Sequence, residues 1–188
     1  MSDRAWTGVV LTGGRSSRMG TDKALVPIDG VPMLARAIAL LRPHVRELLI
    51  IGDTQHHRHP HATTVADDLP GLGPIGGLIT ALDRSRYGRI LALACDMPGV
   101  NDRLLLRLKE RFDGTVDAVV PVHEGRAEPL AAAYHRRCAD PFRKAVEEGL
   151  LKLTAALDRL HWAPVDVRPG HEGWPADLFR NVNRPGDL

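Results

Sequence analysis

The apolar residues of this chain alternate between short continuous runs and longer amphipathic stretches. The short runs have the length and aliphatic content of buried strands; they lie at residues 9–11, 48–51, 90–94 and 118–122. Between them, apolar residues spaced three and four apart predict helices; these lie at 33–41, from 76 to about 84, and around 104–108. Strands buried on both faces are typical of parallel sheets. The β-α-β-α-β order therefore predicts an α/β, Rossmann-like fold, with a mostly parallel central sheet flanked by helices.

The pattern after residue 128 is less regular but continues in the same style. It predicts strands at 130–134 and 163–167 and helices at 141–148 and 153–160. We find no internal repeat and no low-complexity linker. We therefore expect a single domain over residues 1–188, a length that suits one ordinary domain.

Composition narrows the class of protein. Hydrophobic residues make up 44% and charged residues 26%, which is typical of a globular chain and argues against wholesale disorder. A formal net charge of +2 gives no reason to expect nucleic-acid binding. No apolar run approaches the roughly 20 residues that cross a bilayer, and no signal-peptide pattern is seen, so we expect no membrane association and a cytoplasmic location.

The segment after the first predicted strand carries the most chemistry. Residues 11–23 read LTGGRSSRMGTDK, with three glycines and the cations Arg18 and Lys23. Glycines allow successive backbone N–H groups to face a ligand, and the cations balance the charge of a polyphosphate. The spacing matches neither the GxxxxGK[ST] loop nor the GxGxxG fingerprint. We interpret the segment as a phosphate-binding loop, the alternative being a solvated surface loop.

Four segments in chain order resemble the nucleotidyltransferases that build the molybdenum cofactor, and among them the guanylyltransferase family. The first is residues 11–23 with the following Ala-Leu, similar to LxGGxSxRMGxDKAL. The others are DDLPGLGPIGGL at 67–78, CDMP at 95–98 and NVNRPGDL at 181–188. The resemblance spans nearly the whole chain and implies the nucleotidyltransferase fold, with GTP bound by about residues 1–100 and molybdopterin by about 120–188.

The resemblance also implies roles for particular residues. Asp96 is expected to bind Mg²⁺, because a carboxylate at the end of a central strand faces the ligand cleft and Mg²⁺ favours one or two carboxylates plus substrate phosphates. On position alone, an equal alternative is that Asp96 is a helix N-cap, a role that Asp favours before a residue such as Pro98. The expected catalytic residues are Lys23, Arg18 and Asp96. The expected nucleotide-binding residues are Leu11, Thr12, Gly13, Gly14, Lys23, Asp53, Asp67 and Asp96. Asn181 and Asn183 are expected to contact the pterin, the alternative being a C-terminal turn.

Two places depart from the family pattern. The usual Ala after the first strand is Thr12. The Asn that usually follows the second strand is missing, and Gly52 or Asp53 stands there; Asp53 is either an acceptor for guanine donors or a turn residue. Which of Asp67 and Asp68 faces the ligand also stays open.

Two further features have a tempting functional interpretation. His56, His57, His59 and His61 fall within six residues. Pro60 and Arg58 interrupt any regular ligand spacing, so we interpret the run as a solvated loop rather than a metal site. Cys95 precedes Asp96 but has no recognisable His partner, so we expect a buried structural thiol.

The expected reaction joins GMP from GTP to the phosphate of molybdopterin, with Mg²⁺ as cofactor. By resemblance, transient contacts with molybdenum-insertion proteins and molybdoenzymes are implied. Three alternatives remain: a cytidylyltransferase, a sugar-phosphate nucleotidyltransferase of the same fold, and a nucleotide-binding module without turnover. Guanine is favoured over cytosine on steric grounds, because Gly13 leaves room for a purine where related cytidylyltransferases have Ala.

Overall fold

The computed structural model describes residues 5–12 and 22–182. Within them the chain forms ten strands and five α-helices. In chain order these are β1 (Trp6–Leu11), β2 (Pro27–Ile28), β3 (Val31–Pro32), α1 (Met33–Leu41), β4 (Glu47–Ile51), β5 (Thr63–Val65), α2 (Pro74–Arg84), β6 (Arg89–Ala94), α3 (Asp102–Arg111), β7 (Ala118–His123), β8 (Arg126–Ala127), β9 (Ala131–His135), α4 (Ala139–Glu147), α5 (Leu153–Ala156) and β10 (Trp162–Asp166).

The central sheet has the strand order β10-β7-β9-β6-β1-β4-β5, with β8 paired to β7. The neighbouring pairs β1–β4, β1–β6, β4–β5 and β7–β10 are parallel. β9 is antiparallel to both of its neighbours, β6 and β7. The predicted mostly parallel sheet is therefore confirmed, and the carboxyl ends of β1, β4, β6 and β7 point to one edge.

Apolar residues cover both faces of this sheet, as the continuous apolar runs of the strands require. One face packs against α1 and α3, whose buried side chains include Ile38, Leu41 and Leu104. The other face packs against α2 and α4, with Leu78 and Phe142 among the buried residues. The predicted helical layers on both faces are confirmed.

Local sequence explains where the helices begin. Pro32 precedes α1 and Pro74 is the first residue of α2, a position where the missing N–H costs little. Gly73, just before α2, has a φ of 74°, which favours glycine. Asn101 caps α3, because its side chain accepts a hydrogen bond from the Leu104 amide at 3.2 Å.

The sequence pattern missed or misplaced several short elements. The edge strand β5 and the hairpin of β2 and β3 were not predicted. The predicted helix 153–160 is wrong in part: α5 ends at Ala156, and a 3-10 helix (Leu157–Arg159) follows it. Among the helices that the structure describes, none is long and apolar enough to cross a membrane.

Candidate nucleotide-binding site

The candidate site lies at the carboxyl edge of the sheet, where β1, β4 and β6 end side by side. In the parallel register, Leu11 stands opposite Ile51 on one side and Ala94 on the other. The Thr12 amide donates to the Ile51 carbonyl at 3.1 Å, and the Cys95 amide donates to the Leu11 carbonyl at 3.1 Å. The residues that follow these three strands are therefore neighbours. This is the edge at which open α/β sheets bind ligands.

Asp96 and Lys23 meet at this edge. Asp96 follows β6, and Lys23 begins a 3-10 helix (Lys23–Leu25) after the glycine-rich segment. The Lys23 Nζ lies 4.0 Å from the Asp96 Oδ2, and each side chain is 27% exposed. Burial raises the pKa of the Asp96 carboxyl, and the Lys23 ammonium offsets part of that rise. The two charges are thus partly desolvated but still reached by solvent.

The donor set at Asp96 suits a cation that is shared with a phosphate ligand. The described residues contain no group of three or more His, Cys, Asp and Glu side chains placed to hold a metal. A protein cage for zinc or calcium is thereby absent from that part of the chain. One partly buried carboxylate at the ligand-binding edge of the sheet fits instead a divalent cation that takes its other ligands from substrate and water.

Thr12, Gly52 and His57 form a compact group beside this pair. The Thr12 hydroxyl lies 2.8 Å from the Ile51 carbonyl and 2.9 Å from the His57 Nδ1. A Cβ built on Gly52 would stand 1.8 Å from the Thr12 Oγ1 and 2.5 Å from the His57 Nδ1. The two departures from the family pattern are therefore linked, because the hydroxyl of Thr12 occupies the space in which a side chain at position 52 would begin.

Changing Gly52 to Ala tests this link. We expect Gly52→Ala to lower the free energy of unfolding by about 1–3 kcal/mol, because an extra methyl group is forced into filled space. We expect Thr12→Ala in the same chain to recover a good part of that loss, since it removes the nearer obstructing atom. Urea denaturation of the two single variants and the double variant measures the coupling. Additive losses would contradict the proposed packing.

Asp53 is held by its own turn. Its Oδ1 accepts from the Gln55 amide at 2.7 Å, and its Oδ2 lies 2.8 Å from the His56 Nδ1. The hydrogen bond from His56 holds the pKa of the Asp53 carboxyl at about 2. Of the two interpretations left open by the sequence, this geometry fits the turn residue. A contact between Asp53 and guanine stays a prediction.

The neighbouring carboxylates Asp67 and Asp68 have different surroundings. Asp68 is exposed and pairs with Arg84 of α2 through Nε at 2.9 Å and Nη2 at 3.0 Å. Asp67 is half-buried, and its Oδ1 accepts from the Leu69 amide at 2.9 Å and from the Thr80 hydroxyl at 3.0 Å. Asp67 thus forms an Asx turn with Leu69, and both carboxylates fasten the loop to α2. A ligand contact of either carboxylate stays a prediction.

The C-terminal segment reaches the same edge. The Val182 amide donates to the Asp96 carbonyl at 2.9 Å, which brings the exposed Asn181 close to the end of β6. Gly99 lies beneath this segment, and a Cβ there would stand 2.3 Å from the Asp177 carbonyl oxygen. Asn181 thus lies next to a residue that is hydrogen-bonded to the Asp96 backbone. Its contact with a pterin stays a prediction.

Four of the expected site residues lie outside the described residues: Gly13, Gly14, Arg18 and Asn183. Leu11, which is described, is buried at the end of β1, so a ligand contact there falls to its backbone.

The histidine run is the predicted solvated loop only in part, because His59 is half-buried and His57 is buried. His56, Arg58 and His61 are exposed, but His57 is only 4% exposed. The Nε2 of His57 lies 2.5 Å from the Asp22 Oδ2, one residue before Lys23. The burial of His57 does not follow from the histidine pattern, and the departures from the family pattern at positions 12 and 52 are the only sign of it in the sequence.

Cys95 is buried, as the sequence predicts. Burial raises the pKa of its thiol to about 12, which leaves it protonated and unreactive at neutral pH.

Fold and site together define the class of protein. The mostly parallel sheet carries the Lys23–Asp96 pair at its carboxyl edge, where α/β proteins bind nucleotides and similar ligands. Residues 8–161 match the family described as MobA-like NTP transferase domain. The chain belongs to this family, and it is a nucleotidyltransferase by class.

Individual relatives agree with this assignment. A probable molybdenum cofactor guanylyltransferase of Chloroflexus aggregans is 36% identical, over 97% of this chain and 91% of its own length. One from Methanothermobacter thermautotrophicus is 34% identical, over 95% of each chain. The crystal structure of molybdopterin-guanine dinucleotide biosynthesis protein A from Archaeoglobus fulgidus superposes with a TM-score of 0.78 and 28% identity, covering 96% of this chain and 94% of that one.

A more distant structure shares the fold alone. The 2-C-methyl-D-erythritol 4-phosphate cytidylyltransferase of Thermus thermophilus has a TM-score of 0.70 at 16% identity, covering 95% of this chain and 93% of that chain. The predicted nucleotidyltransferase fold is thereby confirmed.

Proposed function

We propose that this protein transfers GMP from GTP to the phosphate of molybdopterin, releasing pyrophosphate and forming molybdopterin guanine dinucleotide. Its family and the names of its relatives support the reaction class and the substrates. The structural observation that carries the proposal is the Lys23–Asp96 pair, with 4.0 Å between Nζ and Oδ2. It places one cation and one carboxylate at the strand ends where a triphosphate would bind.

The chemistry demands positioning and charge stabilisation more than covalent help. A phosphate oxygen of the pterin attacks the α-phosphorus of GTP, the new O–P bond forms, and the bond to the β-phosphate oxygen breaks. The attacking phosphate is ionised at neutral pH, so no general base is required. Lys23 would stabilise the charge that grows on the departing pyrophosphate, with Arg18 beside it. Backbone amides from Thr12 to Gly14 would bind the nucleotide.

Nucleotidyltransferases of this family generally use a divalent metal. We propose Mg²⁺ as that metal and Asp96 as the residue that holds it. A divalent ion held by Asp96 would supply positive charge that offsets the mutual repulsion of the phosphate groups. The half-buried carboxylate of Asp96 would gain further counter-charge, because among the described residues Lys23 offsets only part of the effect of burial.

Different parts of the chain would bind the two substrates. Residues from about 1 to 100, including Asp67, would bind GTP. Residues from about 120 to 188, including Asn181 and Asn183, would bind the pterin. The hydrogen bond between the Val182 amide and the Asp96 carbonyl supports this division, because it brings the C-terminal segment next to the carboxylate proposed for the metal.

Product formation tests this function. With molybdopterin, Mg²⁺ and GTP, we expect pyrophosphate release and a dinucleotide product; with CTP in place of GTP, we expect far slower release. The two nucleotides are compared at equal concentration, with a reaction lacking molybdopterin as control. A preference for CTP would reject the guanylyltransferase, and binding of GTP without product would favour a nucleotide-binding module.

The family implies small-molecule substrates. Cytoplasmic location and transient contacts with molybdenum-insertion proteins and molybdoenzymes remain part of the proposal, and their support is the resemblance of the sequence.

A further inference from the structure

His57 is a buried polar residue within an otherwise solvated loop. It is 4% exposed, whereas its neighbours His56 and Arg58 are exposed. A buried imidazole is stable only when its nitrogen atoms find hydrogen-bond partners. The partners of His57 come from the ends of β1 and β4 on one side and from the segment that carries Lys23 on the other. The ring therefore stands between the sheet and that segment.

The hydrogen bonds assign the tautomer of this ring. Nδ1 faces two groups that can donate to it, the Asp53 amide at 3.1 Å and the Thr12 hydroxyl at 2.9 Å, so we take Nδ1 as an acceptor. The ring proton then lies on Nε2, which donates to the Asp22 Oδ2 at 2.5 Å. In this way a hydrogen bond on one side of an imidazole fixes the role of its other nitrogen.

Asp22 passes this attachment on to Lys23. Its second oxygen, Oδ1, accepts from the Ala24 amide at 3.1 Å and caps the 3-10 helix that Lys23 begins. Ala24 is fully buried, so the cap anchors the turn in the core. His57 and Asp22 thus connect the ends of β1 and β4 to the Lys23 turn. This turn places the Lys23 ammonium near Asp96.

We propose that His57 is a positioning residue, which fixes the Lys23 turn to the ends of β1 and β4 through Asp22. Gly52 is part of this device, because a Cβ there would stand 2.5 Å from the His57 Nδ1. The consequence for turnover rests on the proposed function, whereas the attachment itself does not.

Two substitutions at position 57 separate the two sides of the ring. In His57→Asn, the side-chain oxygen takes the place of Nδ1 and still accepts from the Asp53 amide, but the contact with Asp22 is lost. In His57→Gln, the longer side chain reaches the place of Nε2, and its amide still donates to Asp22. His61→Asn is the matched control, because it makes the same change at an exposed position of the same loop.

Cleavage by trypsin after Lys23 reports on the attachment without any nucleotide. Under native conditions we expect His57→Asn to be cleaved there about tenfold faster than the unchanged protein. A change of this size corresponds to the loss of one hydrogen bond to a charged group. His57→Gln and His61→Asn should be cleaved at nearly the original rate. Asp22→Ala breaks the contact from its other end and also removes the cap on the Ala24 amide, so it should be cleaved at least as fast as His57→Asn, and the test does not depend on one variant folding well. Equal rates for all variants, or equally fast cleavage of His57→Asn and His57→Gln, would overturn the proposal.

The kinetic arm tests the consequence for the reaction. We expect His57→Asn to lower kcat/KM for GTP by about tenfold and His57→Gln to restore most of it. A role limited to folding predicts no rescue by Gln. If the unchanged protein transfers no GMP, the proposed function fails, while the trypsin comparison still decides whether His57 holds the Lys23 turn.

Discussion

Asp96→Asn is expected to abolish most turnover while leaving the protein at least as stable as before. Loss of the metal-binding carboxylate should lower kcat by about 10²–10³, the typical cost of removing one preorganised electrostatic group at a reacting phosphate. Stability should move the other way. Burial raises the pKa of the Asp96 carboxyl above its usual 3.8, so the folded protein binds this proton more tightly than the unfolded chain does. The free energy of unfolding therefore falls as the pH rises from about 3.8 through the folded pKa, and ionised Asp96 opposes folding at neutral pH.

The Asn side chain has nearly the same shape as that of Asp and carries no charge. Asp96→Asn therefore removes the free-energy cost of burying an ionised carboxylate. Thermal unfolding of both proteins at pH 7, without nucleotide, checks the stability, and steady-state pyrophosphate release checks the turnover. Adding GTP with Mg²⁺ should raise the melting temperature of the unchanged protein and raise that of Asp96→Asn much less. Full activity in Asp96→Asn would refute the role of Asp96, and a large loss of stability would refute the account of its charge.

Lys23→Ala is expected to have a comparable effect on the rate. Removal of the ammonium takes away the cation that would stabilise the departing pyrophosphate, and we expect a loss of about 10²–10³ in kcat. Lys144→Ala, at an exposed position of α4, is the matched control and should keep normal activity. Lys23→Arg should recover little, because a planar guanidinium does not reproduce the point charge of an ammonium in a confined site. A rise in KM with unchanged kcat would show that Lys23 contributes to ground-state binding alone.

The elements that the sequence predicts correctly are those with long, consistent patterns. The strands around Leu49, Leu91 and Val119 are apolar on both faces, and such runs have few alternatives in a chain of this length. α1 and α3 follow from their spacing and from the capping Asn101. The direction of β9 does not follow, because the apolar run 131–134 reads the same in a parallel or an antiparallel strand. β5 has only three residues, all partly or fully exposed, so it carries no usable pattern.

The candidate site, too, is predicted by the sequence only in part. Asp96 and Lys23 follow from their motifs and from the rule that ligands bind at the carboxyl ends of strands. The distance between the Lys23 and Asp96 side chains does not follow from the sequence, since it depends on the turn that Asp22 caps. Asp67 and Asp68 are equivalent in sequence and are distinguished by the position of Arg84 one helix away. Likewise, the burial of His57 depends on contacts 35 and 45 residues distant, which no local pattern encodes.

A crystal structure of the protein with GTP and Mg²⁺ tests the central claim most directly. The account predicts a triphosphate at the carboxyl edge of β1 and β6, with the metal on the Asp96 carboxylate and the Lys23 ammonium on the phosphates. A nucleotide bound elsewhere on the protein, or a metal at this edge that Asp96 does not touch, would contradict it.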